Sequence, residues 1–169
     1  MVRSEISHTG TISASTLTRI LNWKSPRTKG KVDWWRYDDY AATFATATCH
    51  PDVDERLDII CTVRGMGACV GSTILHFIFP DGYPIYDVRT VETLSYLGAK
   101  MPETRSVANY HAFRDQIVGS RLDMPQMELE QIDRALFAFH KFNPQIFGAI
   151  LSNGPSTHRR EARRMACHR

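Results

Sequence analysis

The chain has 169 residues, 43% of them hydrophobic, and a formal net charge of +3. That length buries one ordinary core and falls short of two full domains. The longest apolar run, Ser72 to Phe79, is broken by His76 and followed by Pro80 and Asp81, which excludes a bilayer-spanning helix. The charge is unevenly placed: five arginines against Glu161 put +4 in the last dozen residues and leave −1 on the rest. Bulk charge therefore gives no argument for nucleic acid, and only the tail is plainly basic.

Residues 1–14 mix charged residues with Ser, Thr and Gly. They read as a flexible N-terminus without the apolar stretch of a secretory signal, so a cytoplasmic, intracellular protein is expected. One domain is expected over 15–145, followed by a C-terminal extension, 146–169, that ends in the basic tail. Leu17, Ile20 and Leu21 form a first helical stripe, with Ser15 as its N-cap. Tyr37, Tyr40, Ala41 and Phe44 repeat at i, i+3, i+4, i+7 and predict a second helix. Asp52 and Glu55 have the spacing of a capping box, and Val53, Leu57, Ile60 and Cys61 continue from it as a third apolar face.

The fourth helix, Ala68 to Phe79, is apolar nearly all round and is the expected core helix. The fifth runs from Val88 to Leu97, with Asp87 before it and Gly98 at the position where a left-handed residue is cheapest. Val107, Tyr110, Phe113 and Ile117 predict a sixth; Leu129, Ile132, Leu136 and Phe139 predict a seventh that stops before Pro144. Strand-like alternation is nowhere sustained, so the class is all-α, a compact multi-helix domain. Cys49, Cys61, Cys69 and Cys167 contain no C-x-x-C pair. The adjacent Cys49-His50 and Cys167-His168 side chains diverge, so neither a metal nor another cofactor is expected.

Between the third and fourth helices stands Arg64-Gly65-Met66-Gly67, too short for anything but an abrupt reversal. The two glycines relax the limits on φ and let an anion approach the backbone. Amides opening the next helix, from Gly67 through Ala68 to Cys69, then point at that anion with the dipole in its favour. Such contacts position a duplex without reading its sequence. A tight turn that uses glycine for geometry alone is the competing reading.

The block Val63 to Gly98, VRGMGACVGSTILHFIFPDGYPIYDVRTVETLSYLG, resembles the signature of the helix-hairpin-helix DNA glycosylase superfamily. That signature has a hairpin G-x-G, a small-residue helix, and an aspartate opening the next helix. The likeness is closer still to uncharacterised bacterial proteins in which W-K-S-P-R precedes the hairpin and P-I-x-D follows it. Trp23 to Arg27 and Pro84 to Asp87 supply these, so the resemblance spans about Ile20 to Phe142. It implies a domain built round a helix-hairpin-helix motif that holds DNA through Arg64, Gly65, Met66, Gly67, Ala68 and Cys69. Asp87 would be the catalytic carboxylate, eighteen positions beyond Cys69.

Lyase-competent members carry a lysine where Cys69 stands. A thiol cannot form the Schiff base, so the resemblance implies monofunctional hydrolysis of an N-glycosidic bond, a step in base-excision DNA repair. The iron-sulfur cysteines of many relatives are absent. Asp87 has a second reading as a plain helix cap, worth on the order of 1 kcal/mol. Tyr83, Tyr86 and Arg89 flank it as candidates for a base pocket, with sealing of the core edge as the other role for the tyrosines. His76 reads as a hydrogen-bonded structural histidine, and Trp34 and Trp35 as packing residues. Arg64, Arg89, Lys24 and Arg27 are candidate phosphate contacts or merely solvated charges. The expected function is thus a DNA glycosylase-like hydrolase; the alternatives are an inactive DNA-binding or partner-docking module and a purely structural helical domain.

Overall fold

The computed structural model describes residues 2–24, 26–102 and 104–153; the arginine-rich tail and Cys167 lie outside the described residues. These residues form α1 (Val2–Thr9), α2 (Ala14–Lys24), α3 (Tyr37–Cys49), α4 (Glu55–Cys61), α5 (Ala68–Ile78), α6 (Val88–Tyr96), α7 (Val107–Asp123), α8 (Leu129–Phe142) and α9 (Pro144–Asn153). Two 3₁₀ segments, Pro26–Lys31 and Trp34–Arg36, link α2 to α3, and no strand occurs among the described residues. The fold is all-α. No helix among them is long and apolar enough to cross a membrane.

Helix α5 lies at the centre because it presents no polar face: Ser72, Thr73, Ile74, Leu75 and His76 are all buried. It packs against α1, α2 and α4. Its approach to α4 depends on Gly71, where a Cβ would stand 2.7 Å from Leu57 Cδ1. In the second half of the chain α8 packs on α6 and α7, and α7 reaches α4. The two halves are joined where Ser72 Oγ accepts the Tyr86 amide at 3.0 Å, one residue before Asp87.

The ends of the helices show where the local signals held. Gly98 adopts φ +98°. The Ala99 and Gly98 amides return to the Leu94 and Ser95 carbonyls, which is the Schellman arrangement for a left-handed C′ residue. The cap of α2 is Ser13 in place of Ser15, its Oγ accepting the Thr16 amide at 3.2 Å. The Asp52–Glu55 capping box does not form. Asp52 instead accepts the Asp54 amide at 2.8 Å, and Val53 is exposed.

The chain ends depart most from expectation. In place of a flexible stretch over 1–14, residues 2–9 are helical and Ile12 is fully buried. Glu5 ties this segment down by accepting the Ser13 amide at 2.7 Å and the Thr16 hydroxyl. At the other end Pro144 ends one helix and begins another, as its missing N–H allows at a first helical position. The boundary drawn at 145 falls within α9, whose Phe147 stacks on His140 with ring centroids 4.0 Å apart.

Candidate active site and nucleic-acid interface

The bend between α4 and α5 divides its two glycines between two tasks. Gly65 has φ +83°, and a Cβ there would lie 2.6 Å from the Lys31 carbonyl oxygen, so both the left-handed backbone and the close approach require glycine. Gly67 has an ordinary φ of −78°, and a Cβ there would meet nothing within 4 Å. It is exposed, and it caps α5 without a side chain to offer. The amides at Gly67, Ala68 and Cys69 precede the first intrahelical donors, so they have no partner within the helix. Met66 and Ala68 turn their side chains into the core, leaving backbone as what this bend presents. Arg64 stands exposed beside it and pairs with Asp33 at 3.1 Å.

Asp87 caps α6. Its Oδ1 accepts the Arg89 amide at 3.1 Å, and Thr90 Oγ1 accepts the Asp87 amide in return at 3.3 Å. Its Oδ2 meets Lys24 Nζ at 2.8 Å. Burial works to raise its pKa, but the Lys24 ammonium, the Arg89 amide and the Arg89 charge outweigh that and hold the carboxyl below its ordinary 3.8. Asp87 is therefore an anion at neutral pH, and its side chain keeps 23% of its exposure. Cys69, in the opening turn of α5, lies within electrostatic range of both Lys24 and Asp87. Burial raises the Cys69 thiol's pKa, with Lys24 and Arg105 working against it.

Asp87 opens on a cleft of about 690 Å³ between α2, α5, α6 and α8. Three aromatic rings, Trp23, Phe77 and Phe137, form walls of this cleft. Trp23 is 61% exposed and meets Phe77 edge-on with centroids 5.3 Å apart. The Arg89 guanidinium lies 5.0 Å over the Phe137 ring. His76 also lines the cleft; its Nδ1 sits 2.9 Å from the Tyr83 carbonyl, and burial lowers its pKa. The histidine is buried and hydrogen-bonded, as its place on the core helix suggested.

A second carboxyl lines the same cleft. Asp133, on α8, is 4% exposed and its Oδ1 has no hydrogen-bond partner. Burial pushes it up to about 7, with Lys24 and the Ile85 amide opposing and the Asp87 and Glu130 charges adding to the rise. An ionised carboxyl and one that still holds its proton close to neutral pH thus share one cavity. Opposed environments of this kind separate a charge-stabilising group from a proton donor.

Several expected site residues are placed elsewhere. Tyr83 and Tyr86 are 1% and 0% exposed, so neither can stack on an incoming ring. Tyr83 donates to the Val53 carbonyl at 2.5 Å, Tyr86 lies in an aromatic cluster with Tyr110 and Phe113, and both seal the core. Lys24 is not a surface phosphate contact, since its side chain is 10% exposed and engaged by Asp87. Trp34 packs on Tyr37, but Trp35 is 84% exposed and does not pack. Arg27 is exposed.

Sequence reasoning missed Asp133 although a signal existed. It stands four residues after Leu129 and three before Leu136, inside the apolar stripe that predicted the helix, where a carboxylate is out of place. Lys24 gave no such signal, because its partner is 63 residues away. Compared with protein-family models, with curated proteins and with solved structures, the chain finds no match.

Proposed function

We propose that the protein binds DNA backbone at the Gly67 end of the α4–α5 bend and hydrolyses the N-glycosidic bond of a nucleotide extruded into the Asp87 cleft. It would be a DNA glycosylase-like enzyme of the helix-hairpin-helix superfamily. The observation that carries this reading is Asp87 itself: an ionised carboxylate at the edge of an aromatic-walled cleft. Positive charge developing on the sugar would be stabilised by that anion, which is already held in place by Arg89 and Lys24 and needs no reorganisation. Trp23, Phe77 and Phe137 give the extruded base flat apolar surfaces. With Cys69 at the position where relatives carry lysine, the nucleophile is water.

The test is incubation of the purified protein with duplexes carrying a panel of damaged or mismatched bases, comparing wild type with Asp87→Asn. The reading requires base release by the wild type and a loss of at least about 100-fold in the variant. Release of no base, or equal release by both, contradicts it.

A second reading has its own support. Both Asp87 oxygens are engaged, one by the Arg89 amide and one by Lys24, as they would be in a DNA-binding or partner-docking module that has lost the chemistry. That module binds duplex with equal affinity in the wild type and in Asp87→Asn, and releases nothing.

A further inference from the structure

One carboxyl oxygen of Asp133 takes the Ile85 amide, and nothing in the fold explains the other. Asp133 is the only carboxyl among the described residues that is both buried and left with an oxygen unpartnered. Leaving that oxygen without a partner costs the fold stability. This oxygen lacks a partner inside the protein, and it belongs to a residue that lines an open cleft, where an entering molecule can supply the missing hydrogen bond.

We infer that Asp133 is a proton donor to the departing base, and that the cleft accordingly takes bases that are uncharged rather than cationic. The inference rests on the glycosylase-like reading of Asp87 and adds the substrate class. An uncharged base that leaves with the glycosidic electron pair becomes an anion unless a proton reaches it. A base alkylated on a ring nitrogen is already cationic, departs neutral and needs no donor. In the proposed step the C1′–N bond breaks and its electron pair goes to the base nitrogen, while the Asp133 proton goes to the base. Water adds to C1′, and the proton it sheds returns through solvent to the Asp133 carboxylate, so nothing is oxidised or reduced.

The charges around the cleft agree with this. Arg3, Lys24, Arg89 and Arg134 line it against Asp87 and Glu130. Three of these cations have acidic partners: Lys24 with Asp87 at 2.8 Å, Arg134 with Glu130 at 2.5 Å, and Arg3 with Asp81, which does not line the cleft, at 4.0 Å. With Asp133 protonated the walls carry a cationic excess, which disfavours a positively charged base. The groups acting on Asp133 come from every side: Lys24 from α2, Asp87 at the start of α6, Tyr110 from α7 and Glu130 on its own helix. Burial, helped by the Asp87 and Glu130 charges, outweighs Lys24 and the Ile85 amide and raises the Asp133 carboxyl to about 7.

The experiment compares single-turnover release of hypoxanthine and uracil with release of N7-methylguanine, for wild type, Asp133→Asn and Asp87→Asn, across pH. Binding of undamaged duplex by each variant checks its fold. The expected result is that Asp133→Asn slows release of the uncharged bases by at least about 100-fold and abolishes its decline above neutral pH. Release of the cationic base, where measurable, is left unchanged by that variant, and Asp87→Asn slows both. If Asp133→Asn does not fold, the wild-type profile decides: release of uncharged bases must fall as pH rises through about 7 while that of N7-methylguanine stays level. Uncharged-base release that ignores Asp133→Asn, a flat wild-type profile, or a wild type confined to the cationic base overturns the inference and leaves the Asp87 reading standing. Release of no base by the wild type overturns both.

Discussion

Lys24 Nζ lies 2.8 Å from Asp87 Oδ2, across 63 residues of chain, with the two side chains only 10% and 23% exposed. The pair fastens the end of α2 to the start of α6, and it closes one side of the cleft. Lys24→Met removes the charge and keeps most of the stem's packing. It leaves a half-buried carboxylate relying on the Arg89 amide alone, so unfolding by urea at neutral pH should show a loss of about 1–3 kcal/mol. Because Asp87 is held below its ordinary 3.8, its contribution is present above that pH and disappears as pH falls through the depressed value. The wild type should therefore be more acid-labile than the variant, and the two curves should converge at the acid end.

Asp133 carries the opposite dependence. Its carboxyl is raised from 3.8 to about 7, so below about pH 4 both folded and unfolded states hold the proton and burial has no titration cost. As pH rises from there the unfolded chain ionises first, and the folded state loses stability until the folded carboxyl ionises too. Asp133→Asn keeps an acceptor for the Ile85 amide and never ionises. Thermal unfolding should find it equal to the wild type near pH 4 and more stable near pH 8, by roughly 4 kcal/mol at most. A variant less stable at the higher pH would mean that the carboxylate is the form the fold requires.

The two glycines of the bend should separate on substitution. Gly65→Ala meets both a positive φ and the Lys31 backbone, and should destabilise the protein by about 2–4 kcal/mol. Gly67→Asp has open space and places a carboxylate at an N-cap, a favoured position. It should leave the melting temperature unchanged or slightly higher. The same carboxylate would face the phosphate, so duplex affinity should drop at least tenfold and the salt dependence should lose about one phosphate contact. Undiminished binding by Gly67→Asp would make the bend a geometric turn and nothing more.

Trp23 is exposed and touches Phe77 by its edge, so Trp23→Ala should cost the fold little. Stacking on a base is worth about 1–3 kcal/mol. Affinity for a duplex with an extrudable mismatched base should therefore fall about 10- to 100-fold, with little change for a fully paired duplex. Titration of both duplexes by fluorescence anisotropy separates these outcomes.

Helical periodicity and cap chemistry carried much of the fold. Tyr37, Tyr40 and Phe44, and likewise Leu129, Ile132 and Leu136, lie on the buried faces their spacing marked, and Asp87 and Gly98 bracket α6 as their residue types demand. Helix α1 was illegible because it has no fully buried residue of its own; Val2 and Ile6 rest half-buried on the core, and Glu5 reaches Ser13 and Thr16 in α2 and its approach, a contact no local pattern encodes. Helix α9 was hidden by Pro144, which reads as a stop and serves here as a start. At the site, the Asp87 carboxylate was visible from its cap position. Its surroundings were not, since Tyr83 and Tyr86 adjoin it in sequence yet turn into the core, while Trp23, Lys24 and Asp133 reach it from distant helices.

In the proposed function the Asp87 carboxylate stabilises positive charge on a sugar. The most direct test of that role is the affinity for a duplex bearing a cationic pyrrolidine in place of one deoxyribose, set against the same duplex with an uncharged tetrahydrofuran. Tighter binding of the cation by at least about 100-fold, abolished in Asp87→Asn, is the predicted result. Equal affinity for the two duplexes, or a preference that survives Asp87→Asn, would contradict it.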